Sequence, residues 1–186
     1  MDAGDIISQR ETTITKDDTL KPLHDRLSEM GKDLLLETLP NIISGNINPL
    51  KQDESEVTYG YNITKEDEKI DFTKTNTEVD NKVRALNPTP GAYTTLNGKR
   101  LKVYDVRLTD RYYANTIPGT IVGFEKDGIR VVAGNSEVIL TDIALEGKKR
   151  CLAKDYLNGV DKKELLGVVL KWKKKRRKNK INILSL

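Results

Sequence analysis

Asn87-Pro88-Thr89-Pro90-Gly91 separates a helical pattern from a series of strand patterns. The two prolines lack a backbone donor and bias the residues before them toward extended conformations, so a helix cannot continue through this stretch. Before it, residues 75–86 have the apolar spacing of a short helix, for which Thr77 is the predicted cap. The apolar face of this helix consists of Val79, Val83 and Leu86. The sequence therefore predicts a helix that leads directly into a sheet.

Short strand patterns follow the prolines and are separated by turn residues. Asn97-Gly98 and Asp127-Gly128 favour type I′ hairpin turns, in which both central residues take a positive φ. A last helical turn is expected at residues 153–158, and residues 165–170 would close the domain. Five short antiparallel strands with a helix on either side predict a small closed barrel of the OB type, although a different small barrel also fits. The predicted strands are residues 92–96, 101–108, 119–125, 129–133 and 138–143.

The first residues have the pattern of one strand followed by one helix. Residues 6–14 have the composition of a strand, and Asp17, Asp18 and Thr19 offer caps for the helix that follows. Pro40 is expected to kink or end this helix. Gly45 would stop whatever continues. The apolar face of the helix consists of Leu20, Leu23, Leu27, Met30 and Leu34.

One strand and one amphipathic helix cannot bury their own apolar surface, so residues 1–48 are interpreted as the last unit of an α/β domain. Residues 49–68 are polar, contain Pro49 and show little periodicity, which is typical of a linker. Residues 69–170 would form the barrel domain, and residues 171–186 a basic tail.

Charge is distributed unevenly along the 186 residues. The formal net charge is +4, but eight basic residues and no acidic one lie between Lys171 and Lys180, which leaves −4 on the remainder. Nucleic-acid binding by the body of the chain would therefore depend on local patches. The tail itself fits three interpretations: a genuine extension, a frameshifted or read-through end, or a solvated run with no role.

Few side chains are suited to metal binding or nucleophilic catalysis. The sequence has one histidine, His24, and one cysteine, Cys151, so no zinc-binding spacing is present and no metal is expected. A single cysteine cannot form an internal disulfide, which makes a cytoplasmic location the default expectation. No apolar run approaches the roughly 20 residues that span a bilayer, so no membrane association is expected.

Several stretches, in order and with preserved spacing, resemble the methionyl-tRNA formyltransferase family, and the most specific is Arg84-Ala85-Leu86-Asn87-Pro88-Thr89-Pro90-Gly91-Ala92-Tyr93-Thr94. Two departures concern packing, because Thr89 and Phe72 stand where tryptophan is common in the family. The other matching stretches are Met1 to Ile7, Leu23 to Leu27, Leu34 to Pro40, Ile63 to Glu66 and Ile70 to Phe72.

This resemblance implies an α+β architecture, in which the end of a Rossmann-like α/β formyltransferase domain precedes an OB-like β-barrel domain. The family moves a formyl group from 10-formyltetrahydrofolate to the methionine amino group of initiator methionyl-tRNA. Asp2 matches the family's catalytic aspartate, which would orient and stabilise a histidine. The partner asparagine and histidine, and the folate pocket, have no counterpart in this sequence. The resemblance therefore implies an N-terminally truncated, monomeric chain that is inactive alone but retains the tRNA-binding domain.

Basic side chains near the predicted turns are the candidates for RNA binding. Each could neutralise a phosphate, which supplies affinity but little sequence information. Tyr93, Tyr104, Tyr112 and Tyr113 could stack on bases, although packing within the barrel explains them equally well. The candidate cations are Lys82, Arg84, Lys99, Arg100, Lys102, Lys148, Lys149, Arg150 and Lys154.

Two other function classes remain open. A sugar-nucleotide formyltransferase or a formyltetrahydrofolate hydrolase would share the Asp2 turn and the domain order, but the stretch Asn87 to Thr94 argues against both. A non-enzymatic RNA-binding module of the OB type is the second alternative.

Overall fold

A computed structural model describes residues 4–171 of the chain, which form an α+β structure. Two helices, α1 (Leu20–Ser44) and α2 (Asn76–Leu86), precede a mostly antiparallel sheet, and two short helices follow it. The strands are β1 (Ala92–Leu96), β2 (Lys99–Thr109), β3 (Ile121–Phe124), β4 (Ile129–Ala133), β5 (Ser136–Leu145) and β6 (Cys151–Leu152). The short helices are α3 (Ala153–Leu157) and α4 (Lys162–Leu165), and a single 3₁₀ turn covers Glu54–Glu56. No helix within residues 4–171 is both long and apolar enough to cross a membrane.

Helix α1 follows the predicted periodicity but continues past Pro40. One missing backbone donor does not end the helix, which extends to Ser44 with Pro40 inside it. Gly45 then ends it as expected, with a φ of 73° and an N–H that bonds the carbonyls of Asn41 and Ile42. None of the residues of α1 is buried, and its apolar side is only partly covered in the described structure: Leu23, Met30 and Leu34 are half-buried, whereas Leu20 and Leu27 are exposed.

The predicted strand at residues 6–14 is wrong. Only Ile6 makes a bridge, in which its N–H and C=O pair with those of Leu50, both at 2.8 Å. The following residues instead contact α1 through side chains, for example in the ion pair between Arg10 and Glu37. A strand needs a neighbouring backbone along its whole length, and the described residues supply one only at Leu50.

Helix α2 is capped two residues earlier than predicted. The Thr75 hydroxyl accepts from the Glu78 N–H, and the Glu78 carboxylate accepts from the Thr75 N–H, which forms a capping box. Thr77 lies inside the helix, so its predicted role as cap is wrong. The predicted apolar face is confirmed, because Val79, Val83 and Leu86 are all buried.

The sheet has the strand order β1-β2-β5-β4-β3, and β6 pairs with β5. The turn at Asn97-Gly98 has the predicted positive φ at both residues, 48° and 81°. The type I′ turn predicted at Asp127-Gly128 is wrong, because neither residue has a positive φ. Gly128 is required there by close packing: a Cβ would lie 2.3 Å from the carbonyl oxygen of Leu140. Conformational freedom and close approach thus explain glycine at two similar turns.

The prediction of a closed barrel is not confirmed, because the strand path ends at β1 on one side and β3 on the other. The segment 167–171 lies between these edges without forming a strand. Lys171 donates to the Thr95 carbonyl at 3.1 Å, and Leu170 donates to the Gly119 carbonyl at 2.8 Å. The edge strands are only five and four residues long, and this irregular segment satisfies part of their backbone in place of a continuous ladder.

The hydrophobic core lies between the sheet and α2 and extends from Ile70 to Leu170. Phe72, one of the departures from the family pattern, is fully buried within it. Because buried and more exposed residues alternate over the first part of β2, this strand has one face in the core and one face toward solvent.

Candidate nucleic-acid interface

The alternation of β2 places three candidate side chains on its outer face. Leu101 and Val103 are buried, whereas Arg100, Lys102 and Tyr104 occupy the intervening positions. Successive residues of a strand point to opposite faces of the sheet, so these three side chains lie in one row. The apolar residues that anchor β2 in the core therefore determine which cations reach the surface.

The connection between β5 and β6 brings a second group of cations to this row. The N–H of Glu146 donates to the Arg100 carbonyl at 2.8 Å, and its carboxylate accepts from the Arg100 N–H at 3.0 Å. The result is an open groove of about 360 Å³ at the surface of the sheet. It is lined by Arg100, Lys102, Tyr104, Ala144, Leu145, Glu146, Gly147, Lys148 and Arg150. We refer to it below as the basic groove.

Arg100 is one of the cations of the basic groove that have no carboxylate partner among the described residues. Its guanidinium carbon lies 4.5 Å from the centre of the Tyr93 ring, and no carboxylate within residues 4–171 pairs with it. Tyr93 is itself almost fully buried and donates its hydroxyl to the Lys65 carbonyl, so the ring is a fixed support. An arginine held in this way keeps its donors free for an anion.

Arg150 is also stacked but is paired with a carboxylate. Its guanidinium carbon lies 4.0 Å from the centre of the Tyr104 ring. Its Nε donates to the two oxygens of Asp142 at 3.0 and 3.1 Å, and its Nη2 donates at 2.8 Å. The hydrogen bonds to Asp142 raise the pKa of Arg150 above its ordinary value. Arg150 is therefore a fixed and locally neutralised side chain.

The lysines of the basic groove have no carboxylate partner among the described residues. Lys102 donates its Nζ to the Pro90 carbonyl at 2.7 Å, and Lys148 lies with its Nζ 6.0 Å from the centre of the Tyr156 ring. Lys99, Lys149 and Lys154 are exposed and lie near groove residues in the sequence, but they do not line the groove. The structure thus brings together four of the nine predicted cations and places three more at neighbouring positions of the chain.

The two candidates on α2 lie outside the basic groove. Arg84 donates to Asp80 at 2.9 Å, to Asn81 at 2.6 Å and to the Asp18 carbonyl at 2.8 Å. These bonds tether α2 to the residues that precede α1, so Arg84 has a structural role that the sequence did not indicate. Lys82 is half-buried beside Lys69 and lines a separate depression.

A buried charged cluster was missed by the sequence analysis. Glu137 is fully buried in β5 and accepts hydrogen bonds from Tyr113, Thr109, Arg111 and Arg130. Burial raises the pKa of its carboxyl, but the hydrogen bonds and the charge of Arg130 outweigh it and hold the pKa below the ordinary value. Its partners are separated from it by 7 to 28 residues, so no local pattern indicated them. We refer to it as the Glu137 cluster.

Three of the four candidate tyrosines lie in these two regions. Tyr93 and Tyr104 support the arginines of the basic groove, whereas Tyr113 is bonded to Glu137 and is not free to stack on a base. Tyr112 is 73% exposed and lies in the loop between β2 and β3.

Two predictions fall outside the described residues. Asp2, the candidate catalytic residue, lies before residue 4, and the basic tail lies beyond residue 171 except for its first lysine. Within residues 4–171, no group of three or more His, Cys, Asp or Glu side chains is arranged to hold a metal ion.

Comparison with known proteins identifies the sheet domain and extends the similarity to α1. Residues 62–161 match the family described as "Formyl transferase, C-terminal domain". A methionyl-tRNA formyltransferase of Bacillus velezensis is 48% identical over 162 residues, which cover 86% of this chain and 50% of the relative. One of Bacillus subtilis is 45% identical over 173 residues, which cover 90% and 54%. The chain thus spans about half the length of the curated relatives it matches.

Solved structures with a similar fold are more distant in sequence. HypX from Aquifex aeolicus, solved in complex with tetrahydrofolic acid, has a TM-score of 0.60 at 19% identity, over 84% of this chain and 28% of that one. An N-formyltransferase from Helicobacter canadensis, solved with folinic acid and dTDP-3-aminofucose, has a TM-score of 0.57 at 22% identity, over 75% and 51%. At these identities the similarity shows the fold alone. With its sheet domain matched by the family model and its sequence close to that of curated relatives, the chain belongs to the formyl transferase family and carries the C-terminal domain of that family.

Proposed function

We propose that this chain supplies the tRNA-binding part of a methionyl-tRNA formyltransferase, which formylates the amino group of initiator methionyl-tRNA with 10-formyltetrahydrofolate. The observation that carries the proposal is the basic groove, where Arg100, Lys102 and Lys148 meet on one face without carboxylate partners among the described residues. The similarity to curated methionyl-tRNA formyltransferases supports the choice of RNA.

Phosphate binding in the basic groove follows from its charges. Unpaired cations attract a polyanion because they release counterions from it on binding. The body of the chain is negative overall, but charges act within a Debye length of about 8 Å at physiological salt, so a local group can bind a phosphate. The sheet would serve as an OB-like platform, with the segment 167–171 taking the place of one closing strand.

The remaining parts of the proposal concern the whole enzyme. We propose that Asp2 is the carboxylate that orients the catalytic histidine of the whole enzyme. This histidine has no counterpart in the chain, whose single histidine is the exposed His24. The chain alone would be inactive, so incubation with charged initiator tRNA and 10-formyltetrahydrofolate should yield no formylmethionine above background. We propose a cytoplasmic monomer without a metal, in which residues 1–48, 49–68 and 69–170 act as catalytic-domain end, linker and tRNA-binding domain.

The proposal is tested by measuring the affinity for initiator tRNA across a salt series. A variant with Arg100→Gln and Lys102→Gln should bind at least about 10-fold more weakly at low salt, because two phosphate contacts are lost. The slope of log affinity against log salt should become shallower by up to about 0.7 to 0.9 for each lost contact. Lys126→Gln, which removes one positive charge at an exposed turn outside the basic groove, is the control for a change of charge elsewhere and should leave both quantities unchanged.

The same measurement on a chain that ends at Lys171 separates the sheet from the tail. This end point keeps the Lys171 N–H that bonds Thr95 and removes seven of the eight tail charges. Weaker, salt-sensitive binding should remain and should still depend on Arg100 and Lys102. Complete loss of binding at low salt, or equal binding by the double variant, would contradict the proposal.

A further inference from the structure

Arg100 and Arg150 differ in one respect that bears on how a nucleotide would fit the basic groove. Both guanidinium groups lie over a tyrosine ring, but only Arg150 is bonded to a carboxylate. Asp142 is mostly buried, with 19% of its side chain exposed, whereas the Arg150 side chain is 44% exposed. The Asp142 carboxylate thus fixes Arg150 from the buried side, and part of the guanidinium stays exposed to the groove.

The hydrogen bonds to Asp142 change what Arg150 can bind. Its Nε and Nη2 are already directed at the carboxylate, and the charge of Asp142 opposes that of the guanidinium. A phosphate therefore gains little from Arg150. A planar guanidinium that is fixed against an aromatic ring is, however, a surface on which an unpaired base can stack.

The other cations of the basic groove, unlike Arg150, are not neutralised by a carboxylate. Arg100, Lys102 and Lys148 keep positive charges that no carboxylate pairs with in the described structure. A groove of about 360 Å³ lies at the lower end of the roughly 300–1,000 Å³ that small-molecule sites occupy, which suits one nucleotide. The groove therefore offers a phosphate side and a stacking side at nucleotide scale.

We propose that the basic groove is a subsite for a single unpaired RNA nucleotide, whose base stacks on Arg150 above Tyr104 and whose phosphate binds Arg100, Lys102 and Lys148. This inference rests on the proposed function and adds to it the requirement for an unpaired base. Asp142 acts as a positioning residue, because it fixes the plane of Arg150 and withdraws that arginine from phosphate binding.

The decisive variant is the double substitution Arg150→Gln and Asp142→Asn in the full chain, which removes the stacked group without changing the net charge. The probes are an eight-nucleotide single-stranded oligouridine RNA and a ribose-phosphate oligomer of equal length that lacks bases. The double variant should bind the oligouridine at least about 5-fold more weakly. Its affinity for the abasic probe and its salt slope should stay within experimental error of the parent, because no phosphate contact is lost.

Arg100→Gln is the matched comparison, since it removes the other stacked arginine. It should weaken both probes alike and make the salt slope shallower by about 0.7 for a single strand. Near-ultraviolet circular dichroism of both variants checks that the sheet is intact. Arg150→Lys, which keeps the charge but not the plane, should behave like the double variant with both probes.

The outcomes separate this inference from the function it rests on. If the double variant weakens both probes equally, or leaves the oligouridine affinity unchanged, Arg150 is not a stacking surface and the inference is overturned. If Arg100→Gln leaves the affinity for both probes unchanged, the groove does not bind phosphate and the proposed function itself fails.

Discussion

The basic groove and the Glu137 cluster contain the same residue types, arginine and tyrosine beside acidic side chains, yet they differ in their capacity to bind an anion. In the Glu137 cluster a fully buried carboxylate collects Arg111, Arg130 and Tyr113, so its strongest donors are used within the fold. In the basic groove Arg100 rests on a ring and keeps its charge. Whether an arginine on a sheet can bind a ligand therefore depends on its partners within the fold.

Burial explains why the two regions diverge. A charge removed from water must be paired and hydrogen-bonded, which forces the arginines around Glu137 into fixed positions. A charge at the surface needs no partner and can exchange water for a ligand. Arg150 lies between these cases, because Asp142 pairs it at a half-exposed site.

The largest effect should come from breaking the buried cluster. Glu137→Gln leaves Arg130 without its carboxylate and should lower the free energy of unfolding by about 3–5 kcal/mol. Urea denaturation of the parent and the variant measures this difference in the free energy of unfolding. Glu125→Gln is the control, because Glu125 is 25% exposed and both of its partners keep another carboxylate: Arg107 keeps Asp127, and Arg111 keeps Glu137. This variant should cost about 1 kcal/mol or less. Equal losses in the two variants would remove the distinction between the buried cluster and the surface.

A smaller effect is expected from acid. Because the pKa of Glu137 is held below its ordinary value in the folded protein, the unfolded chain takes up the proton first as the pH falls. This contribution to stability is complete above the unfolded pKa of about 4.3 and is lost as the pH falls through the folded pKa. The free energy of unfolding should therefore decline more steeply below about pH 4.5 in the parent than in Glu137→Gln. Parallel pH profiles would contradict the role of Glu137.

The smallest effect on stability is expected from Arg84→Gln, which compares a paired arginine with the unpaired Arg100. Arg84→Gln removes bonds to Asp80 and to the Asp18 carbonyl, so it should lower the free energy of unfolding by about 1–2 kcal/mol. Its affinity for initiator tRNA should remain within about 2-fold, in contrast to Arg100→Gln. A clear loss of tRNA affinity in Arg84→Gln, at full folding, would return Arg84 to the RNA-binding group.

Local patterns predicted the elements of the sheet domain well. The limits of β1 and β4 agree with the predicted ones, and Val79, Val83 and Leu86 form the buried face of α2 as expected. These features depend on the spacing of apolar residues, which periodicity reports directly. The cap at Thr75 was also within reach, because Glu78 stands three residues after it.

Long-range pairing was not predictable in the same way. The strand at residues 6–14 is absent because its backbone finds a partner only at Leu50, and the barrel stays open because β1 and β3 do not pair. The type I′ turn at Asp127-Gly128 is absent because contact with Leu140, not a positive φ, requires the glycine. Each of these depends on a segment distant in the chain.

The sequence by itself determined that the chain resembles a formyltransferase, that a helix leads into a short-stranded sheet after the prolines, and which cations are candidates for RNA. Only the tertiary structure decided that Arg100, Lys102, Lys148 and Arg150 share one groove and that Arg84 belongs to the scaffold. Composition and periodicity are local properties of a chain, whereas the availability of a charge depends on which carboxylate the fold places beside it.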